Sequence, residues 1–124
     1  MITTRIRTAL LCSLVVAFSA SAHADGDAVK GKKVFNKCRA CHSLAPNRNM
    51  TGPSLAGIIG KASGKAKKFR YSPVMLETGW TWDEATLAHF LASPKKALKG
   101  TKMTFTGLKK PEDIENIIAF LKEN

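Results

Sequence analysis

Cys38-Arg39-Ala40-Cys41-His42 constrains this chain more than any other stretch. Two thiols three residues apart, with an imidazole directly after the second, fit four chemistries: a structural disulfide, a zinc site, a redox dithiol or a covalently attached haem. Structural zinc takes four ligands, and downstream of residue 24 the chain has only Cys38, Cys41, His42 and His89 to offer, so His89 would have to fold back. A thioredoxin-like dithiol sits beside a βαβ pattern, which is absent, and it leaves His42 without a task. A plain disulfide is the remaining simple alternative. Haem uses every residue. On a helical turn the two thiols point the same way and can add to the two vinyl groups of one porphyrin, with His42 held under the iron.

The first 24 residues have the layout of a cleaved export signal. Arg5 and Arg7 precede an apolar run from Ala9 to Ala20, and Ala22-His23-Ala24 supplies small residues where a signal peptidase reads. The run is short for a membrane span, which needs about 20 residues. Cys12 belongs to this leader, and Leu11 before it is too bulky for a lipoprotein signal. The expected domains are therefore a signal peptide over 1–24 and one small domain over 25–124. Of the 20 lysines and arginines, two lie in the leader, leaving 18 against 9 acidic residues, a net charge of about +9. Export to the periplasm argues against nucleic acid as the partner. An acidic protein surface or an anionic membrane fits better, with long-range attraction raising the encounter rate.

The hydrophobic periodicity predicts helices and no strands. Asp27 can cap a first helix carrying Ala28, Gly31, Val34, Phe35 and Cys38 on one side. Gly31 within it costs up to about 1 kcal/mol against alanine, which a closely packed neighbouring backbone would explain. Ser72-Pro73 starts a short helix that Gly79 can close. Thr81-Trp82-Asp83-Glu84 matches a capping box ahead of a helix through Leu87, Phe90 and Leu91 that ends before Pro94. Pro111 suits the first position of the last helix, and Ile114, Ile117, Ile118 and Leu121 follow the spacing of one buried face, with Phe120 as an aromatic edge. Residues 43–70 and 95–110 read as long irregular stretches. Loops of that length in a small domain need something to pack on, and a large apolar cofactor answers the need.

The second face of the iron decides the function. One protein ligand leaves a site open to gases or peroxide, and two close it and favour electron transfer. The candidates are Met50, Met75, Met103 and His89. Met50 lies just after the attachment site and is expected near it. Met75 sits in a short helix and reads as packing. His89 reads as solvated. Met103 lies in "LKGTKMTF", a glycine-containing loop with no periodicity to explain it as core, and is the leading candidate. A thioether is soft and neutral, so it favours ferrous iron and raises the potential relative to two imidazoles.

From about Gly26 to Lys122 the chain resembles a class I cytochrome c of the mitochondrial and cytochrome c2 type, through "GKKVF", "KCRACH", "TGPSLAGIIGK", "FRYS", "TW", "SPKKALKGTKMTF" and "AFLK". The resemblance implies an all-α fold of helices and long loops around one covalent haem c, its first and last helices crossing near Gly31 and Phe120. It implies Cys38 and Cys41 as attachment points and His42 and Met103 as axial iron ligands. It implies that the Pro53 carbonyl holds the free ring nitrogen of His42, that Tyr71 and Trp82 bond the haem propionates, that Thr101 supports the inner propionate and that Phe105 shields the haem beside Met103. Four positions depart from the mitochondrial pattern: Phe90 for a tyrosine, Met75 for a polar residue, Lys61 for an arginine and Lys99 for a proline.

The function this implies is a soluble, monomeric, periplasmic electron carrier and not an enzyme. No paired carboxylates, Ser–His arrangement or phosphate loop supports other chemistry. Lys37, Lys95, Lys96, Lys102, Lys109 and Lys110 are the expected docking face, several of them flanking Cys38 or Met103 in sequence. They would meet acidic faces of redox partners such as a bc1-type complex, a terminal oxidase, a reaction centre or a periplasmic dehydrogenase, in peripheral contact with the membrane. The resemblance also implies that a deprotonated lysine, Lys102 or Lys96 first, can replace the methionine at alkaline pH.

Overall fold

Asp27 opens the first helix of the computed structural model, which describes residues 25–124, so the leader and Cys12 lie outside the described residues. The Asp27 carboxylate accepts from the amides of Val29 and Lys30 at 2.8 and 3.1 Å, satisfying two of the donors that a helix start leaves unpaired. Helix α1 runs Ala28–Val34 and then tightens into a 3-10 turn over Phe35–Lys37. Cys38 therefore lies just beyond the helix and not on it. The turn continues through backbone bonds from the amides of Cys41 and His42 to the carbonyl of Cys38, both 3.0 Å. That single helical turn carries the cysteine pair.

The last helix, α5, spans Pro111–Lys122, with proline in its first turn and Glu112 and Asp113 at its positive end. Ile117, Ile118 and Leu121 of its periodic face are buried, Ile117 only 1% exposed, while Ile114 is half-buried. α1 and α5 cross in the most extensive helix contact of the fold. Phe120 is buried at this crossing, as expected, and its ring centroid lies 5.5 Å from that of Phe35. At Gly31 a β-carbon would overlap the Asn116 carbonyl and the Phe120 β-carbon, and at Gly26 it would overlap the Glu115 carbonyl. Backbone meets backbone here, and glycine's missing side chain permits it. Asn116, a polar residue buried in the same contact, has a partner, because its Oδ1 accepts from the Asp27 amide at 2.7 Å.

Three short helices complete the frame: α2 (Pro73–Glu77), α3 (Glu84–Ala92) and α4 (Pro94–Ala97). The capping signal before α3 is shifted from its sequence reading. Asp83, not Thr81, is the N-cap and accepts from the Thr86 amide at 2.7 Å. Thr81 instead forms an isolated antiparallel bridge with Ala62, and no strand occurs among the described residues. Bonding to Thr86 holds the Asp83 carboxyl below its usual range. A depressed native pKa contributes stability above the unfolded-state value and loses it as pH falls through the native one. Asp83→Ala is therefore expected to lower the melting temperature at neutral pH, with the gap closing as the solution is acidified below the ordinary aspartate range. A gap that stayed constant down to strongly acid pH would contradict the capping role.

Residues 43–70 contain no helix, as expected, whereas α4 interrupts the second long stretch. Pro94 starts that helix, and the chain after it is tied back by the Leu108 amide bonding the Leu91 carbonyl at 2.8 Å. Both long segments contribute to the walls of one interior cavity.

Candidate functional site

The cavity has a volume of about 660 Å³ and a mostly apolar lining drawn from the cysteine turn, the loop after it, α2, α3, the 101–105 segment and α5. That is within the roughly 300–1,000 Å³ of sites that enclose a small organic molecule. Cys38, Cys41, His42 and Met103 all line it. Cys38 and Cys41 are not joined to each other in a disulfide. Burial pushes the Cys38 thiol up, with Cys41 adding to this and neighbouring Lys37 opposing it. A redox dithiol needs the reverse, a thiolate favoured at neutral pH. Among the described residues no three His, Cys, Asp or Glu side chains converge on a metal site, so the donor set for structural zinc is lacking.

His42 is fixed from two sides. Its Nδ1 lies 2.7 Å from the Pro53 carbonyl oxygen. A carbonyl can only accept, so Nδ1 carries the proton and Nε2 keeps its lone pair. Burial pulls the imidazole below its usual range, partly offset by the bond to Pro53, so the ring is neutral at neutral pH. A neutral imidazole with an anchored Nδ1–H and a free Nε2 is what iron ligation requires. Gly52 forms the second support, since a β-carbon there would run into the ring atoms of His42. Its amide bonds the Cys41 carbonyl at 2.8 Å, and its carbonyl accepts from Met50 at 2.8 Å. Sequence reasoning passed over Gly52 inside "TGP"; the glycine directly before the proline was the available signal. Gly52→Ala is expected to displace the ring and alter the visible and ligand-field spectra of the haem-loaded protein, while Ser54→Ala, two residues on, leaves them unchanged. Identical spectra for Gly52→Ala would remove Gly52 from the site.

The other candidates separate by position. His89 is exposed, faces Trp80 edge-on at 6.3 Å and does not line the cavity. Met50 lines the cavity but is 43% exposed and bonded beside the His42 support. Met75 lines it from α2 and is buried in the apolar cluster. Met103 lines it from an irregular segment, its amide bonded to the Thr101 hydroxyl at 3.3 Å.

Thr101, Phe105, Tyr71 and Trp82 all face the same cavity, as does Pro53. The Tyr71 hydroxyl accepts from the Ala66 amide at 3.1 Å, which leaves its own proton free to donate. Burial raises the phenol further above its usual range, with the Ala66 bond opposing, so that proton is retained. Phe90 and Met75, two of the four departures, make this wall drier, and both are buried. Lys61 turns its ammonium to the Ala56 carbonyl at 2.6 Å, and Lys99 is exposed.

All six lysines of the expected docking face are exposed. Lys37 and Lys102 reach the cavity rim, and Lys37 also lies 3.4 Å from Asp113. Lys95 and Lys96 sit on α4, Lys109 donates to the Thr106 carbonyl at 3.0 Å, and Lys110 directly precedes α5. The structure thus brings two of the six to the cavity.

Comparison with known proteins agrees with this architecture. The sequence profile of the family described as cytochrome c matches residues 28–124. The chain is 44% identical over 117 residues to cytochrome c2 of Rhodomicrobium vannielii, covering 94% of this chain and 93% of that one. It is 46% identical over 99 residues to cytochrome c2 of Rhodoblastus acidophilus, covering 79% and 92%. Among solved structures, cytochrome cH from Methylobacterium extorquens superimposes with a TM-score of 0.77 at 42% identity, over 80% of this chain and all of that one.

Proposed function

The chain belongs to the cytochrome c family, and from that premise we propose that it is a periplasmic carrier that passes single electrons between membrane redox complexes. As a family member it is a one-haem electron carrier, its covalent haem c attached through the motif of Cys38 and Cys41. The observation that carries the haem-site reading is the joint lining of one apolar cavity by Cys38, Cys41, His42 and Met103, with the Nδ1 of His42 held by Pro53.

Bound haem supplies the one-electron couple. The chain's own residues set its terms. His42 and Met103 would hold the haem iron, the soft neutral thioether favouring its ferrous form. Pro53 and Gly52 hold the His42 ring, and the Pro53 carbonyl increases its basicity. The Thr101 hydroxyl accepts from the Met103 amide, and Phe105 lines the same cavity. Tyr71, with its free proton, and Trp82 are the proposed propionate donors. The apolar wall excludes water, so the charge change on the iron is felt in a low dielectric. With residues 1–24 as its proposed leader, the carrier would work in the periplasm, and its proposed partners are a bc1-type complex, a reaction centre, a terminal oxidase or a periplasmic dehydrogenase.

Four measurements test this. The purified protein should keep its haem through acid–organic extraction, show a sulfur-to-iron charge-transfer band when oxidised and fail to bind carbon monoxide when reduced at neutral pH. Ready carbon monoxide binding would favour an open-site gas sensor or peroxidase instead. If Lys37, Lys95, Lys96, Lys102, Lys109 and Lys110 steer docking, the second-order rate with an acidic redox partner should fall steeply between low and physiological salt, because exposed charges are screened beyond about 8–10 Å there. A salt-independent rate would discard the docking face.

A further inference from the structure

Trp80 is a large aromatic side chain that takes no part in the haem cavity. Trp82 and Phe90 line that cavity, whereas Trp80 is half-buried and stays outside the lining. Its ring centroid lies 5.9 Å from that of Trp82 and 6.2 Å from that of Phe90, at interplanar angles of 79° and 75°. Trp82 and Phe90 lie 5.3 Å apart, so the three rings form one contact group. Trp80 also meets the ring of the exposed His89 at 6.3 Å. Aromatic contacts thus run from the cavity wall, through Trp80, to an exposed imidazole.

The backbone fixes this arrangement. Trp80 and Trp82 flank Thr81, which bridges to Ala62. Side chains alternate in such an extended segment, so both indoles leave the same face. The Ser63 amide donates to the Trp80 carbonyl at 2.8 Å, the Trp82 amide to the Lys61 carbonyl at 2.8 Å, and the Gly60 amide to the Trp82 carbonyl at 2.9 Å. Both tryptophan backbones are therefore tied to one neighbouring segment. Packing alone asks only for apolar volume at position 80, which leucine would supply. An indole adds a π system that meets its neighbours edge-on, the favoured geometry for such rings. Electronic coupling falls off more slowly through touching π systems than through saturated side chains or across gaps.

We propose that Trp80, acting through Trp82 and Phe90, is a second electron outlet, coupling the haem to redox groups over the Trp80–His89 surface through a ring outside the cavity lining. The proposal rests on the electron-carrier reading above. In each transfer one electron leaves ferrous haem and reduces an external one-electron acceptor, leaving ferric haem; no bond forms and no proton moves. Trp80 is a positioning residue in this step: it supplies an orbital path and is itself neither oxidised nor reduced.

The test uses the haem-loaded protein with a ruthenium polypyridyl complex attached to the His89 imidazole. A laser flash, with hexaammineruthenium(III) as quencher, oxidises the label, which then takes one electron from ferrous haem. The haem absorption change gives the rate. Trp80→Leu should slow this transfer severalfold with the reduction potential unchanged, and Trp80→Phe, which keeps a ring, should recover part of the loss. Should Trp80→Leu not fold, Trp80→Met makes the same comparison. As a control, the label is moved to Val29→His in a His89→Gln background; Val29 lies on α1 and is 73% exposed. From there Trp80→Leu should leave the rate unchanged. An unchanged rate from His89 in the Trp80→Leu protein would overturn the outlet and assign the path to the α3 backbone and Phe90. Equal slowing from both labels would show a general disturbance of the haem and also overturn it. A redox titration before labelling separates the two levels: absence of a reversible haem couple would strike the carrier reading, and the outlet with it, before any rate is measured.

Discussion

Met103→Ala yields a protein that keeps its covalent haem, binds carbon monoxide at neutral pH when reduced, and lacks the sulfur-to-iron charge-transfer band when oxidised. Its reduction potential falls by roughly 0.2–0.4 V, a substantial part of the approximately 0.8 V range that axial ligands command. The reason is chemical and local. A thioether is a neutral, soft donor that stabilises ferrous iron, and the substitution replaces it with water or leaves the position open. Phe90, Met75 and Leu91, which line the same cavity, are buried and offer no polar side chain to take over. Absorption spectra with and without carbon monoxide, followed by a redox titration, give the result. A variant that keeps the band would transfer the ligand role to Met75, the other buried methionine in the cavity, and Met75→Ala would then have to abolish it.

Gly31→Val is expected to cost about 3 kcal/mol, the upper end of overpacking penalties, and so to lower the melting temperature by roughly 12–24 °C for a domain of this size. Even the first added carbon would overlap the Asn116 carbonyl and the Phe120 β-carbon. Those are a backbone group and the root of a buried side chain, neither of which can swing away. α1 must then lift off α5, which also strains the Asn116–Asp27 bond and the Phe35–Phe120 contact. The 3-10 turn that carries Cys38 follows α1 directly, so haem incorporation should decline with stability. Thermal unfolding of the haem-loaded variant, with Lys32→Val as an exposed control on the same helix, measures the difference. A Gly31→Val protein as stable as the control would show that the crossing has slack.

Much of the fold was legible because helix signals are local. The Asp27 cap, the Pro111 start and the Ile114–Leu121 stripe act within one or two turns, and each predicts its own segment. The misplaced cap before α3 shows the limit of such signals. Thr81 and Asp83 are both good capping residues, and the choice fell to Asp83 because Thr81 is held against Ala62, a partner that lies 19 positions earlier and leaves no local trace. The cysteine turn was placed on the first helix for a similar reason: the switch to 3-10 geometry after Val34 carries no compositional mark.

The sequence alone determined the chemistry of attachment, since two thiols and an imidazole at fixed spacing permit few alternatives, and it determined the helical class through periodicity. It also identified Gly31 as a place of close approach. Tertiary structure alone decided which backbone approaches there, that Gly52 leaves room for the His42 ring, and that His89 stays outside the cavity while Met50 and Met75 enter its lining. Periodicity and capping are interactions between residues a few positions apart, so a linear string records them. The meeting of Gly52 with a ring ten residues earlier depends on where the chain returns in space, and only the packed fold settles that.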